Sequence, residues 1–301
     1  MNIQRTVRAL AACLALFAAQ IPGTASEGKA LSVAVADSSV RAIVKAVGGN
    51  QVVAFSLFKG CVLRKDLEVE PAAKARLNNA AAIVWTGFFQ ESEAINAVLR
   101  DFPAHKPLWI DVAPGATRTK VPFTTCEGFV DPLFAAGDPY FWLNPQNGSI
   151  IARNVAKGLS RLLPGQAKYF HANAAAFSKS LGTDIARWKK ALEPLNGMRV
   201  YSAQCGWQNF SSLGGPKFIL CKTTPGELPA PKELLAYVKQ MEAKLILVDP
   251  NTAPEFAEAL REHSGLKVIE VPSSLDGFPG ERSYNSLFDS LVKVLLGALT
   301  R

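Results

Sequence analysis

One stretch in the middle of the chain, Gln166–Leu192 (QAKYFHANAAAFSKSLGTDIARWKKAL), decides how the fold is organised. Its apolar residues recur every three or four positions, which places them on one face of a single long helix. They are Ala167, Phe170, Ala174, Phe177, Leu181, Ile185, Trp188 and Leu192. Pro164 precedes the pattern and Pro194 follows it, as expected at helix boundaries. A helix of this length would span about 40 Å, so the pattern predicts a rigid helix that joins two lobes.

Strand-like and helix-like segments alternate on both sides of this helix. Before it, the pattern predicts strands at Leu31–Ala36, Gln51–Leu57, Ala81–Thr86 and Leu108–Val112, and helices at Ser39–Val47, Ala72–Asn79 and Glu91–Arg100. After it, the pattern predicts strands at Arg199–Ser202, Lys217–Leu220, Leu245–Val248 and Lys267–Val271, and helices at Pro231–Ala243, Pro254–His263 and Arg282–Leu296. Asp37 and Ser38 are suited to cap the first helix.

Near-continuous apolar strands that are separated by helices favour parallel sheets covered on both faces. The sequence therefore predicts an α/β fold with mainly parallel sheets. Residues 26–163 form one lobe, residues 164–194 the linking helix, and residues 195–301 the second lobe. A cleft between two lobes is a preferred place for a small ligand.

The N-terminal segment has the order of a secretory signal peptide. Arg5 and Arg8 precede the apolar run Ala9–Ala19, and small residues follow up to Ala25. The run is shorter than the roughly 20 apolar residues that span a bilayer. We expect residues 1–25 to be removed after about Ala25, and the net charge to fall from +8 to +6 because two arginines leave.

The composition and the motifs argue against several classes of protein. With 49% hydrophobic and 19% charged residues, the chain is expected to fold rather than to remain disordered. It contains no G-x-G-x-x-G, phosphate loop, G-x-S-x-G or H-E-x-x-H motif. Its three histidines, His105, His171 and His263, lie far apart in the sequence and are read as surface or boundary residues. The sequence therefore predicts a protein that is not an enzyme.

A basic cluster, Lys59, Arg64 and Lys65, lies in one predicted loop. Such a cluster usually belongs to a solvated face, although it would also attract an anionic ligand to the cleft. Nucleic-acid binding is not expected, because the chain is exported and has no basic motif interleaved with aromatic residues.

Three segments of the chain carry motifs of one family. Asp138–Pro145 (DPYFWLNP) is similar to D-P-H-x-W-L-D-P and is the most specific match. Asp66–Pro71 (DLEVEP) looks like D-P-H-x-[YF]-E-P with one residue lost, and Gln204–Phe210 (QCGWQNF) resembles H-x-[AS]-[WF]-x-Y-F. These motifs resemble the solute-binding proteins of zinc and manganese ABC transporters, the cluster A-I group. The resemblance extends from about Leu31 to the C-terminus.

The resemblance implies a fold and a role. Members of this family have two α/β lobes joined by a long helix, and they hold one divalent ion between the lobes with imidazole and carboxylate side chains. It implies that this chain is a periplasmic monomer that captures zinc, manganese or a metal chelate and delivers it to an ABC permease in the inner membrane.

The ligand positions depart from the family pattern. They are occupied here by Leu67, Tyr140 and Gln204, and the last carboxylate position is occupied by Val271-Pro272. Leucine and valine cannot bind a metal, and neutral tyrosine and glutamine are poor zinc ligands. Asp276 is a further candidate for a metal ligand. The resemblance also places Cys205 and Trp207 beside the third ligand position, so that Tyr140, Gln204, Cys205 and Trp207 would line the cleft.

Four cysteines remain after export, Cys61, Cys126, Cys205 and Cys221, and they allow two interpretations. In the first, Cys61, Cys126 and Cys205 stand near the three ligand loops and, if reduced, form a thiolate site for Cu(I) or zinc. In the second, the oxidising compartment favours two disulfides, such as Cys205 with Cys221 and Cys61 with Cys126.

The sequence thus predicts the solute-binding component of a metal-type ABC importer with an altered site. Three alternatives remain open at this point. They are an accessory or chaperone-like protein that has lost metal binding, a binder of an organic or anionic solute, and a secreted enzyme that uses the cysteines.

Overall fold

A computed structural model describes residues 30–59, 68–102, 104, 106–119, 137–202, 206–220, 231–250, 254–280 and 282–299 of the 301 residues. The first lobe contains strands β1 (Leu31–Val35), β2 (Val52–Ser56), β3 (Ala82–Trp85) and β4 (Leu108–Asp111). The second contains β5 (Arg199–Ser202), β6 (Lys217–Leu220), β7 (Leu245–Val248) and β8 (Lys267–Glu270). Neighbouring strands are parallel, in the orders β2-β1-β3-β4 and β6-β5-β7-β8. The prediction of two parallel α/β lobes is confirmed.

The helices of the described residues are α1 (Ser38–Gly48), α2 (Pro71–Leu77), α3 (Phe89–Leu99), α4 (Pro145–Leu162), α5 (Ala167–Leu192), α6 (Trp207–Phe210), α7 (Pro231–Gln240), α8 (Pro254–His263) and α9 (Tyr284–Leu299). Strands β5, β6 and β7 and helix α8 have the predicted bounds, and the other predicted elements differ at their ends by one to three residues. The sequence analysis does not predict α4 and α6. Within the described residues, no helix has the length and apolar character needed to cross a bilayer.

Helix α4 begins with two strong local signals. The Asn144 side chain accepts a hydrogen bond from the Gln146 amide (3.1 Å), and Pro145 occupies the first helical position. Two glycines then allow close packing, since a Cβ at Gly158 would lie 2.6 Å from the Ile110 side chain and one at Gly148 would lie 2.7 Å from Tyr284. Tertiary packing therefore explains residues that weaken the helical pattern of the sequence.

Helix α5 is the predicted long helix, but it packs sideways against other helices instead of standing alone between the lobes. It contacts α4 and α1 of the first lobe and α9 of the second. Its buried face includes Phe170, Leu181 and Trp188. The Trp188 ring stacks on Phe288 of α9 with centroids 5.0 Å apart, and its indole N–H donates to Asp289 (2.7 Å).

The main hydrophobic core runs through both lobes. One connected cluster of buried residues includes Val33 of β1, Trp188 of α5 and Leu245 of β7. A second cluster, built around Tyr201, Leu234 and Leu260, covers the other face of the second sheet. The lobes are thus joined by continuous apolar packing as well as by the linking helix.

Candidate functional site

The segments that follow the carboxyl ends of the strands meet in one interlobe junction. Here the junction means the contacts of residues 37–39, 119 and 138–146 with residues 206–212, 273–276 and 284. In open parallel sheets this edge is where ligands bind. The sequence analysis predicts the ligand cleft at the same place, between the two lobes.

The first part of the junction joins α1 to the segment after β8. Asp37 caps α1 by accepting from the amides of Ser39 (2.7 Å) and Val40 (3.1 Å), as the sequence predicts. The Ser38 hydroxyl donates to Asp276 Oδ1 (3.0 Å) and accepts from the Asp276 amide (3.1 Å). Asp276 therefore reaches across from the second lobe to the first.

The carboxyl group of Asp37 lies in an environment that disfavours its charge. Burial and, to a smaller extent, the nearby Asp276 carboxylate raise its pKa from 3.8 to about 7, although the amide hydrogen bonds act in the opposite direction. Within the junction, two acidic side chains, one from each lobe, thus lie close enough for their charges to interact.

The second part of the junction is centred on Asp138, which is fully buried. Its Oδ1 accepts from the Tyr140 amide and its Oδ2 accepts from the Gly206 amide, both at 2.9 Å. Burial raises the pKa of Asp138 from 3.8 to about 7, and these two hydrogen bonds act in the opposite direction. One carboxylate thus connects two segments that the resemblance assigns to the cargo site.

Tyr140, at the second family position, is 0% exposed. Its ring lies edge-on to Trp142, with centroids 5.3 Å apart. Trp142 is also fully buried, donates from Nε1 to the Ser273 carbonyl (3.3 Å), and accepts at its own carbonyl from the Tyr284 hydroxyl (2.5 Å). This part of the junction is therefore a buried aromatic cluster that is hydrogen-bonded to the second lobe.

Trp207 lies in an aromatic cluster of the second lobe. Its ring stacks on Phe218 at 5.5 Å and contacts Phe210 at 5.7 Å, and only 1% of the residue is exposed. In this arrangement Trp207 packs in the core, and a ligand-binding role for it stays a prediction.

The remaining predicted site residues fall mostly outside the described part of the chain. Leu67, Gln204, Cys205, Cys61, Cys126, Cys221, Arg64, Lys65 and His105 all lie there. Lys59, His171 and His263 are described and lie at exposed positions. Among the residues that the structure describes, no group of three or more His, Cys, Asp or Glu side chains is arranged to hold a metal ion.

Sequence reasoning missed a buried polar group behind the junction in the first lobe. Glu91 accepts from the Thr86 amide (2.8 Å) and hydroxyl (2.7 Å), and burial raises its pKa from 4.5 to about 7. Arg118 donates to the Thr86 carbonyl (2.6 Å) and lies over the rings of Phe88 and Phe141. The sequence hinted at this group only through Thr86, a polar residue at the end of the otherwise apolar predicted strand Ala81–Thr86.

Comparisons with known proteins agree with this architecture. The family model described as ZnuA, zinc-uptake complex component A periplasmic, matches residues 33–298. The zinc-binding protein AdcA of Streptococcus pyogenes serotype M6 is 27% identical over 147 residues, which are 47% of this chain and 28% of AdcA. The metal ABC transporter substrate-binding lipoprotein SloC of Streptococcus mutans is 26% identical over 233 residues, 76% of this chain and 74% of SloC.

A solved structure shows the same fold. A crystal structure of ZnuA superposes with a TM-score of 0.73 at 20% identity, and the match covers 90% of this chain and all of that one. Since the family model spans nearly the whole region after the N-terminal segment, this chain belongs to the ZnuA family of periplasmic zinc-uptake components.

Proposed function

We propose that this protein is the solute-binding component of a metal-type ABC importer, which captures a metal ion or a metal chelate between its lobes and delivers it to a permease. The observation that carries the proposal is the family match over residues 33–298, together with two lobes that meet at the carboxyl ends of their strands. The names of AdcA and SloC favour this role over an accessory or chaperone-like role.

The role is one of binding and delivery, without catalysis. The protein would act in the periplasm as a monomer, after removal of residues 1–25, and it would not bind nucleic acid. The net charge of +6 that remains after removal of residues 1–25 does not point to any further partner.

The cargo is proposed to be a divalent metal, zinc or manganese, that keeps part of its own ligand shell. Leu67, Tyr140 and Gln204 occupy the family positions, and none of the three is a strong zinc ligand. A chelated metal needs hydrogen bonds and apolar contact from the protein more than it needs imidazole. Asp276, which reaches the first lobe through Ser38, supplies a carboxylate in the interlobe junction.

The cysteines are proposed to form two disulfides, Cys205 with Cys221 and Cys61 with Cys126. Each pair would connect loops within one lobe, and the oxidising compartment favours them over three free thiolates for Cu(I). Peptide mapping of the exported protein without reduction measures the pairing directly.

Native mass spectrometry of the mature protein, purified from its own periplasm and then incubated with Zn²⁺ or Mn²⁺, tests the proposed function. We expect a metal-containing adduct and no free thiols. An adduct of bare metal with four free thiols would favour the thiolate site instead. If the protein carries no metal as purified and none after incubation with Zn²⁺ or Mn²⁺, the importer role is contradicted.

A pair of variants then locates the cargo. Tyr140 is too deeply buried for truncation to alanine, which would cost about 3–5 kcal/mol of stability by analogy with other aromatic deletions. Tyr140→Phe keeps the buried ring and removes its hydroxyl, and Gln204→Ala removes the side-chain amide at the third family position. We expect the double variant to bind metal more weakly by calorimetry. Tyr169→Phe, on the exposed side of α5, is the matched control with unchanged affinity.

A further inference from the structure

Asp138 differs from the other acidic residues of the junction in what its two oxygens hold. Oδ1 accepts from Tyr140, two residues further along the chain, and Oδ2 accepts from Gly206, 68 residues away in the other lobe. The residue is fully buried, so water does not compete for either bond. Its carboxylate fixes the distance between the segment of Tyr140 and the segment of Gly206.

These two bonds belong to a closed ring of hydrogen bonds. The Asp138 amide donates to the Thr119 carbonyl (2.9 Å), and the Thr119 hydroxyl donates to Asn209 Oδ1 (2.9 Å). The Asn209 amide donates to the Gly206 carbonyl (2.9 Å), and the Gly206 amide returns to Asp138. Two members of the ring precede α5 and two follow it, so the ring joins the lobes.

We call Asp138–Pro145 the second cargo segment and residues 206–210, the described part of the third family motif, the third cargo segment. The third cargo segment is in close contact with the second. Gly206 has φ +101, and a Cβ at this position would lie 2.7 Å from Tyr140 Cβ. The two residues directly before Gly206 are Gln204 and Cys205, which the family resemblance assigns to the cleft. Whatever fixes Gly206 against Tyr140 therefore fixes the first described residue of the third cargo segment.

We propose that Asp138 is a positioning residue of the cargo site, whose two-sided carboxylate holds the second and third cargo segments at a fixed spacing through protein groups alone. The proposal rests on the proposed function for the meaning of the cargo segments. The chemistry requires a carboxylate, because both donors are amide N–H groups and an asparagine side chain offers one oxygen acceptor for the two of them.

The test compares Asp138→Asn with Glu91→Gln at pH 8. Both changes neutralise a fully buried acid that accepts two hydrogen bonds, but both partners of Glu91 come from Thr86 within one lobe. Zn²⁺ affinity is measured by competition calorimetry. We expect Asp138→Asn to weaken Zn²⁺ binding at least tenfold and Glu91→Gln to change it by less than twofold. Equal affinities of the two variants would overturn the proposal.

A second readout does not depend on cargo. Amide hydrogen exchange at Tyr140 and Gly206 should become at least tenfold faster in Asp138→Asn than in Glu91→Gln, because only the first variant opens the ring. If wild-type protein binds neither Zn²⁺ nor Mn²⁺, the proposed function fails, and this exchange measurement alone decides the positioning role. Unchanged protection of both amides would overturn it.

A milder variant covers the case in which Asp138→Asn does not fold. Thr119→Val keeps the shape of the side chain and removes the hydroxyl that donates to Asn209. We expect faster exchange at Gly206 and a severalfold loss of Zn²⁺ affinity. The Thr119 amide also donates to Asn209 Oδ1 (3.3 Å) and is kept in this variant. If Thr119→Val leaves both quantities at their wild-type values, the hydroxyl bond of the ring does not hold the third cargo segment.

Discussion

Replacement of Gly206 by alanine tests the close contact between Gly206 and Tyr140 in the interlobe junction. An added Cβ would lie 2.7 Å from Cβ and 2.8 Å from Cγ of Tyr140, at a backbone φ of +101. The positive φ costs an L-residue about 1–2 kcal/mol, and overpacking against a buried ring costs about 1–3 kcal/mol more. We expect Gly206→Ala to lower the free energy of unfolding by about 2–5 kcal/mol, measured by urea denaturation.

Alanine variants of two other glycines serve as controls that separate the backbone cost from the packing cost. Gly197 has φ +80 and would place a Cβ with nothing within 4 Å, so Gly197→Ala reports the backbone cost of about 1–2 kcal/mol alone. Gly182 lies within α5, has no positive φ, and would also place its Cβ in open space. Gly182→Ala should therefore raise stability by about 1 kcal/mol through helix propensity.

The comparison of the three variants can refute the reasoning. The contact with Tyr140 predicts that Gly206→Ala is more destabilising than Gly197→Ala by at least about 1 kcal/mol. If the two cost the same, Gly206 does not pack on Tyr140, and the two lobes do not meet as described. If Gly182→Ala also destabilises, alanine substitution itself is the cause and the series carries no information on the junction.

Two further predictions concern buried polar groups elsewhere. Glu91 has its pKa raised to about 7 in the folded state, so the folded state binds its proton more tightly and stability is lost as pH rises from about 5 to 8. Glu91→Gln should gain up to about 3 kcal/mol relative to wild type over this range in denaturation curves, and parallel pH profiles would contradict this. Asp289→Ala leaves the buried Trp188 N–H without its acceptor and should cost about 1–3 kcal/mol, whereas Arg187→Ala, which removes two exposed ion pairs (with Asp184 and Asp289), should cost less than about 1 kcal/mol. Equal losses of stability in these two variants would show that the ion pairs of Arg187 matter as much as the indole hydrogen bond.

Local patterns in the sequence carried most of the fold. The apolar run of β7, Leu245–Val248, is short and buried at every position, and its bounds were predictable to the residue. The apolar period and the flanking prolines also located α5. These signals act within a few residues, which is why a single sequence suffices to read them.

Helix α4 shows where local reasoning fails. It begins with Asn144 and Pro145, a readable start signal, but Gly148 and Gly158 lower its intrinsic helix propensity. Both glycines are explained by neighbours from distant parts of the chain, Tyr284 and Ile110. Their cause is a contact between elements, and no window of the sequence contains it.

The junction could be predicted only in part, for the same reason. The family motif pointed to Tyr140, and Asp276 was a candidate by its place in the last loop. The sequence did not reveal that Ser38 meets Asp276 across 238 residues, or that Asp138 meets Gly206 across 68. Nor did it indicate that Tyr140 is enclosed by packing, because burial depends on both lobes at once.

Hydrogen bonds and apolar contacts within the protein already join the two lobes, and this affects the affinity for cargo. The links are Ser38 to Asp276, Asp138 to Gly206 and Trp142 to Ser273, within one core that spans both lobes. When a ligand has to close two separated lobes, its apparent affinity is reduced by the free energy of closure. Links of this kind reduce that cost, so more of the free energy of cargo contacts appears as affinity. A junction organised in this way can retain a cargo with weaker individual contacts than a hinge that must be closed by strong metal ligands.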